Sequence, residues 1–445
     1  MDRAKIATAL THAGLLGHAF FVPVSIAGTQ IGLGVAAAGL LCAPPPRLRT
    51  ALDWPVVAFV VIAIASDLLS SYGVPPLAAA TLWRSVLGFF VVAHGLRLLP
   101  PRAATQLICA AAAGVALGAI VGVIQYRTGF DLVHWVGLRA NPASVPAPGV
   151  PGRFGAMGFF TSRLTYGHNA TVLVALFGGV LAAGAVPRRP AFLIAAATAL
   201  GLAGIAVTFD RAAYLAFCAA ALVIAYGAAP RARRALVPVL VALVLLAALH
   251  GGVRGRFLTA FSVASNSDRA FIWARAVEML RDHPLQGVGF ANYSKAAAAY
   301  YDRVDPSFPM RTWAHNQPFS TLVETGPLGL AALVWIFAAA AAALVRRLRS
   351  GNRLAPGGLA ALAALAVIAQ VHDVFYDTKV MYALWLALGL TLSPRASLED
   401  ADEPVEAEIE RDAQRNHDQQ RRHQQIRQEH APALEEAEHP GEQLQ

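Results

Sequence analysis

The chain has 445 residues, of which 56% are hydrophobic and only 14% are charged, and its mean hydropathy is +0.50. Soluble globular proteins carry about 25% charged residues, so this composition argues against a soluble fold. The net charge of +9 combines −9 from Ala396 onward (14 acidic and 5 basic residues) with +18 in the rest of the chain. The three cysteines lie far apart, which indicates neither a metal site nor a disulfide framework.

Apolar stretches of about 17–22 residues recur along the first 395 positions, and this is the length that a helix needs to cross a bilayer. Lipid offers backbone groups no hydrogen-bond partner, so these stretches must be helical. We predict an all-α membrane protein with about twelve transmembrane helices and a helical outer loop domain. The predicted spans are 6–22, 25–42, 54–71, 82–99, 104–124, 168–186, 191–209, 212–229, 235–252, 326–345, 356–373 and 379–394.

Arginine residues cluster in the short connectors between the predicted spans. Under this helix count the connectors all fall on one side of the membrane, and basic short loops stay in the cytoplasm. Both termini are then cytoplasmic. The first apolar run ends without a convincing small-residue cleavage site, so we interpret it as a retained helix rather than a signal peptide. The connector arginines are Arg47, Arg49, Arg97, Arg102, Arg188, Arg189, Arg231, Arg233, Arg234, Arg346, Arg347, Arg349 and Arg353.

These spans and charges divide the chain into six segments. They are N-terminal transmembrane helices (1–124), a first outer loop (125–167), central transmembrane helices (168–252), a large outer loop (253–325), C-terminal transmembrane helices (326–395) and an acidic tail (396–445). The tail lacks apolar periodicity, so we predict that it is largely disordered, and we assign it no chemistry.

The first outer loop is basic. Its four arginines, Arg153 among them, stand against the single acid Asp131. Basic residues in an outer loop are contrary to the rule that basic loops stay in the cytoplasm, although long loops cross the membrane regardless of their charge. The set favours an anionic ligand on the outer face. Because Arg153 lies in a glycine-rich turn, it is a weaker candidate for a phosphate contact.

Two further arginines are stronger candidates. Asp210-Arg211 interrupts nearly forty apolar residues at the outer end of a helical hairpin, where a charge needs a partner or a wet cavity. Arg269 opens a predicted amphipathic helix on the membrane surface and shares one face with Trp273. A helix N-terminus binds phosphate, and a guanidinium there adds bidentate contacts. A lipid headgroup contact or a pair with Asp268 is the alternative role for Arg269.

A single histidine precedes the tenth predicted span. His315-Asn316 is followed by Gln317 to Thr325, which we predict to lead as helix into that span. A helix N-terminus disfavours the imidazolium, so the ring of His315 would stay neutral and able to accept a proton. A neutral imidazole near pH 7 is the usual general base in proteins.

Other features narrow the chemistry. His372-Asp373 and Asp377 lie at an outer helix end. They either orient a substrate hydroxyl or the base, or simply end the helix. The sequence has no Walker loop, no HExxH, no paired-cysteine ligand set and no outer DxD motif, so we expect no metal and no cofactor. Without an aromatic-plus-basic platform, we expect no nucleic-acid partner either.

At these residues the chain resembles the O-antigen ligase and polymerase superfamily of bacterial envelope enzymes. His315-Asn316 followed by Gly326-Pro327-Leu328-Gly329 fits the ligase pattern H-[NSQ]-x9-G-x-x-G. The segment from Arg269 to Phe290 is similar to the outer loop of the family. Thr208-Phe209-Asp210-Arg211 is similar to its T-x-S-R helix end, with Asp210 where serine is common. The specific matches lie within about 205–330.

The resemblance implies a GT-C-like membrane fold and an inverting, metal-independent glycosyl transfer at the periplasmic face of the inner membrane. The donor would be a glycan on undecaprenyl diphosphate, and the acceptor would be lipid A–core oligosaccharide. His315 would take the acceptor proton while Arg211 and Arg269 hold the leaving diphosphate. Trp273, Asn316, Asp373 and Arg153 are further candidate substrate contacts, and membrane lipids surround the spans.

Three alternatives remain open at the sequence level. An O-antigen polymerase would use the same donor, but its family often carries R-x10-G motifs in two outer loops, and we find none. A protein O-oligosaccharyltransferase typically has a further outer domain. A transporter or flippase for lipid-linked sugars would share the spans and arginines, but it should show repeat symmetry or broken helices and would not need the histidine.

Overall fold

The computed structural model describes residues 3–43, 50–73, 84–227, 251–258, 267–305, 307–308 and 312–393. The chain divides into two units, Met1–Ser397 and Leu398–Gln445, and the second lies outside the described residues. Within the described residues all regular structure is helical. The α-helices are α1 (Arg3–Phe21), α2 (Ile26–Leu41), α3 (Asp53–Leu69), α4 (Leu87–Gly95), α5 (Arg102–Thr128), α6 (Leu132–Trp135), α7 (Arg163–Ala182), α8 (Arg188–Ala206), α9 (Arg211–Gly227), α10 (Gly251–Leu258), α11 (Ser267–Asp282), α12 (Tyr293–Tyr301), α13 (Gln317–Arg349), α14 (Ala355–Ala369) and α15 (Thr378–Leu392).

Four helices in the described part of the chain are long and apolar enough to cross a membrane, namely α5, α7, α8 and α13. Shorter apolar helices include α2, α9, α14 and α15. Helices therefore form where the apolar runs predict them, which agrees with a membrane protein. The count of twelve spans stays a prediction, and the predicted span 235–252 lies almost wholly outside the described residues.

Close helix packing fixes the two helices that lead to the site. Helix α7 packs against α14 through Gly179 and Gly357. A Cβ atom added at Gly179 would lie 2.5 Å from the backbone of Gly357, so only small residues permit this approach. The connection after α14 lies close to the N-terminal end of α7, where the rings of His372 and His168 are 4.7 Å apart.

The large outer loop has a small apolar core of its own. Helix α11 presents Ile272, Ala276 and Met279, which are fully buried, toward α12 and the first half of α13. The sequence analysis assigned the apolar face of this helix to the membrane surface. In the structure Ala276 of the predicted face is buried against protein, while Trp273 of the same face is 38% exposed. Side-chain packing thus holds the loop to the bundle.

Helix α13 is kinked at Gly326, and the kink explains the spacing of the histidine motif. Gly326 has φ 68° and ψ −173°, a region that is essentially restricted to glycine. Pro327 has no N–H to donate to the carbonyl of Val323 four residues earlier. That carbonyl accepts instead from the amide of Val288 at 2.9 Å. The nine residues between Asn316 and Gly326 therefore form one straight helical segment between a cap and a kink.

Residues at the kink connect the large outer loop to the helix bundle through hydrogen bonds. The carbonyl of Glu324 accepts from the amide of Gly289 at 2.9 Å and from Ser66 Oγ of α3 at 2.7 Å. The Glu324 carboxylate is buried and accepts from Tyr376 and from the amide of Tyr293. One turn of α13 thus joins the outer loop, α3 and the connection before α15.

We expect Gly326→Ala to destabilise the protein strongly. An added Cβ would lie 1.8 Å from the carbonyl oxygen of Leu285, and the backbone conformation costs a non-glycine residue about 1–3 kcal/mol in addition. Gly34→Ala in α2 is the matched control, because a Cβ there meets nothing within 4 Å. Thermal unfolding in detergent should show a lower Tm for Gly326→Ala only. Equal Tm values for both variants would contradict the role given to the kink.

Candidate active site

His315 occupies a strained turn immediately before α13. Its φ is 52°, in the left-handed region that few non-glycine residues adopt. The residues around it are fixed by hydrogen bonds: Trp273 Nε1 donates to the carbonyl of Ala314 at 2.8 Å, and the Ala314 amide donates to Ser320 Oγ at 3.1 Å. Strain of this kind persists only where the surroundings hold it. The turn therefore sets the position of the imidazole.

Asn316 is the N-cap of α13. Its Oδ1 accepts from the amide of Phe319 at 2.9 Å, and its Nδ2 donates to the carbonyl of Gln370 at 3.0 Å. The side chain thus begins the helix and ties it to the end of α14. The sequence analysis proposed Asn316 as a substrate contact; both polar ends of the side chain are engaged within the protein.

Asp373 supports the same turn from the connection between α14 and α15. Its buried carboxyl accepts a hydrogen bond from Ser320, and the amides of His315 and Asn316 are directed toward it. Burial raises the pKa of Asp373 to about 6, although these hydrogen bonds and Arg269 oppose the shift. Asp373 therefore lies beside the candidate base and holds its backbone.

Arg269 and Arg211 come together at this point from different helices. Arg269, in the first turn of α11, donates through Nη2 to the carbonyl of Val371 at 3.1 Å. Burial lowers the pKa of the Arg269 guanidinium, Arg211 at the start of α9 lowers it further, and Asp373 partly opposes this. Two cations that repel each other in a half-buried setting define a place where a bound anion would be stabilised.

His315 lies close to Arg269 of this pair. Burial lowers the pKa of His315 below its usual value, and the charge of Arg269 lowers it further. The ring is therefore neutral at pH 7. Its Nε2 atom is buried and, within the described part of the chain, has no hydrogen-bond partner. A neutral imidazole with a free nitrogen near the guanidinium of Arg269 can accept a proton while an anion is held there.

The turn that presents Arg211 is built around an unusual backbone. Phe209 has φ 55°, and Arg163 Nη1 donates to the carbonyls of Thr208 and Phe209 at 2.9 and 3.0 Å. Tyr214 OH donates to the carbonyl of Ala206 at 2.6 Å, which closes the hairpin. Arg163, one of the basic residues of the first outer loop, thus positions the helix end that carries Arg211.

The remaining two sequence candidates differ in their surroundings. Trp273 lies one turn after Arg269 and reaches the turn of His315 through its indole N–H. Arg153 contacts the ring of Tyr126 at 5.8 Å and the carbonyl of Arg127 at 3.4 Å. Tyr126 in turn contacts Phe209. Arg153 therefore lies at the edge of the site, one side chain away from the hairpin of Arg211.

The contribution of His168 was not expected from the sequence, whereas His372 was named as a residue that orients the substrate or the base. His168 Nε2, on α7, lies 2.8 Å from Asp210 Oδ2, and the His168 ring is 4.7 Å from that of His372. The His372 ring is 6.3 Å from that of His315. The polar run Thr165–Thr171 at the start of an otherwise apolar span was the available signal for His168. Asp210, which cannot pair well with its neighbour Arg211, is paired with His168.

The fold and the site define a class: an α-helical protein with helices of membrane-spanning length and a cationic site around one neutral histidine. Within the described residues, no group of three or more His, Cys, Asp or Glu side chains is arranged to hold a metal ion.

Residues 193–334 match the family model of O-Antigen ligase. This match confirms the resemblance that the motifs carry, and it covers Arg211, Arg269 and His315. It indicates a bacterial membrane enzyme of the O-antigen ligase or polymerase type. No curated protein matches the chain significantly.

Proposed function

We propose that this protein is an O-antigen ligase of the bacterial inner membrane. It transfers a glycan from undecaprenyl diphosphate to lipid A–core oligosaccharide, with inversion at the anomeric carbon and without a metal ion. The site faces the periplasm, and both termini are cytoplasmic. The proposal is supported by the charge of Arg211 acting on Arg269 and that of Arg269 acting on a neutral His315, all three at helix ends within the O-antigen ligase match.

In this proposal each of the three residues has one task. His315 accepts the proton of the acceptor hydroxyl as its oxygen forms a bond to the anomeric carbon of the donor. The bond from that carbon to the diphosphate oxygen breaks, and the electron pair leaves with the diphosphate. Arg211 and Arg269 stabilise the charge that develops there, since guanidinium groups bind phosphate oxygens in a bidentate manner. The lowered pKa of His315 supports its role as a base at pH 7.

The surroundings of the three residues support roles for the lesser candidates. Trp273, on the outer flank of α11 and 38% exposed, is placed to stack on a sugar ring. Asp373 and Asn316 hold the turn of His315. Arg153, at the edge of the site, is a contact for a more distant part of the donor.

An O-antigen polymerase would use the same donor and the same three residues, with a growing glycan as acceptor. The absence of R-x10-G motifs from the outer-loop sequence favours the ligase: ten intervening residues after Arg269 lead to Leu280, and the same step from Arg153 leads to Leu164. The two functions differ in the acceptor, so the products of the cell distinguish them.

The experiment is a deletion strain of the source bacterium, whose lipopolysaccharide is separated on a gel. We expect the ladder of O-antigen bands to disappear, while lipid-linked O-antigen accumulates. A core band carrying a single repeat would show a polymerase. An unaltered ladder would overturn the proposal, and an unaltered ladder with underglycosylated protein would point to a protein O-oligosaccharyltransferase.

A further inference from the structure

A row of buried titratable side chains leads away from His315. The rings of His315 and His372 are 6.3 Å apart, those of His372 and His168 are 4.7 Å apart, and His168 Nε2 lies 2.8 Å from Asp210 Oδ2. His168 and Asp210 are 3% and 4% exposed. The row starts at the candidate base and ends at a buried carboxylate. The proposed transfer assigns no task to its last three members.

The histidines of this row differ in the charged groups that surround them. His372 faces His168 on α7, Asp210 before α9, His315 before α13 and Arg269 on α11. Burial and the other rings lower the pKa of His372 to about 3, and Asp210 partly opposes this. Arg269 disfavours a proton on His315 and on His372. His168 is the ring of the row in direct contact with a carboxylate.

Asp210 is placed to neutralise a positive charge on His168. Burial raises the pKa of Asp210, but its contact with His168, together with His372 and the amide of Ala212, outweighs burial, so the pKa lies below its usual value. The carboxylate is therefore ionised when His168 carries a proton. A cation on His168 would be neutralised at a distance of one hydrogen bond.

We propose that His168 and Asp210 hold the proton that the transfer reaction releases, and that His372 passes it on from His315. The proposal rests on the proposed function, because only a transfer to a hydroxyl releases this proton. The O–H bond of the acceptor breaks as its oxygen binds the anomeric carbon, and the diphosphate leaves with the electron pair of its C–O bond. The proton moves from His315 through one bridging water molecule to His372 and then to His168, where Asp210 balances its charge until it returns to bulk water.

The sequence of this chain fits such an arrangement. Asp210 stands where the similar T-x-S-R pattern has serine. A serine could accept a hydrogen bond from His168, but it could not neutralise an imidazolium there. Asp210 and His168 thus form a functional pair. The reaction involves His168, His372 and Asp210 only through His315, from which they receive the proton.

The first test is His372→Ala in purified protein, with lipid-linked O-antigen and lipid A–core as substrates. We expect kcat to fall about tenfold or more, with the KM for the donor unchanged within about twofold, because only the proton path is interrupted. Added imidazole should restore kcat in a saturable manner, since a diffusible base can replace the missing ring. A structural defect would not be restored in this way.

The control is His12→Gln. His12 Nε2 is bonded to Gln106 at 2.9 Å, and Gln106 lies about 30 Å along α5 from Tyr126, the residue that contacts Phe209. We expect no change in kcat and no response to imidazole for this variant.

Asp210→Asn tests the other end of the row with little change in shape. We expect the first turnover to keep its rate within about twofold while steady-state kcat falls about tenfold, because proton release and not transfer is slowed. Unchanged steady-state rates in both variants would overturn the relay, as would a loss in His372→Ala that imidazole does not restore. A wild-type protein that transfers no glycan would instead overturn the proposed function.

Discussion

His315→Ala and His315→Asn are expected to lower the rate of glycan transfer by about 10²–10⁴-fold, the usual contribution of a general base. Both substitutions leave the arginine pair in place, so the donor should still bind. The KM for the donor should stay within about threefold, which is a small difference in free energy. The measurement is the kcat of purified variants, together with the lipopolysaccharide ladder of a deletion strain that carries each variant.

The asparagine variant separates chemistry from folding. His315 has φ 52°, and Asn, like His, is among the residues that tolerate the left-handed region best. Loss of activity in His315→Asn with an unchanged Tm therefore reports the missing base rather than a strained backbone. His134→Asn is the control, since His134 lies in the first outer loop and contacts the carbonyl of Arg139. A His315→Asn protein that transfers at the wild-type rate would exclude this histidine as the base.

Arg269→Ala is expected to lower kcat/KM by about 10²–10³-fold, which is the effect of removing one donor to a developing anion. The KM for the diphosphate-linked donor should rise as well, because the guanidinium contacts the diphosphate before and after transfer. Arg269→Lys should recover little of the loss, since an ammonium group cannot replace the planar fork that binds two oxygens at once.

Arg281→Ala on the same helix is the matched control. Arg281 is exposed in the last turn of α11, and surface substitutions usually change stability by less than about 0.5 kcal/mol. We expect its kcat/KM to equal that of the wild type. Full activity of Arg269→Lys would show that Arg269 contributes only positive charge and not a specific contact. An equal loss in Arg281→Ala would show that the effect is not specific to the position of Arg269.

The sequence predicted the local features of the fold well. Helix α8 was expected at 191–209 and is Arg188–Ala206, because an apolar run bounded by basic residues specifies a helix without information from elsewhere. The helix from Gln317 into the next span was also predicted. Its kink was not, although Gly326-Pro327 contains the signal: a proline leaves the carbonyl of Val323 without its helical partner.

The long-range part of the site could not be predicted in the same way. His168 and Asp210 are more than forty positions apart, and the periodicity of each helix says nothing of which neighbour it will contact. The residues that α11 packs against protein could not be predicted for a related reason, since an apolar stripe fits a membrane surface and a protein surface equally well. The left-handed backbone of His315 likewise depends on the bond from Trp273 to the carbonyl of Ala314 and on the bond from the amide of His315 to Asp373.

The dependence of kcat/KM on pH tests the central claim, a neutral His315 beside the cationic Arg269. Because burial and Arg269 lower the pKa of His315, the wild-type value should stay constant as the pH falls from 8 to below about 6.5 and decline only in more acidic solution. Arg269→Gln removes the repulsion of the imidazolium, so its smaller kcat/KM should begin to decline at a higher pH than that of the wild type. A wild-type decline already above pH 6.5, or one that Arg269→Gln leaves unmoved, would contradict the account.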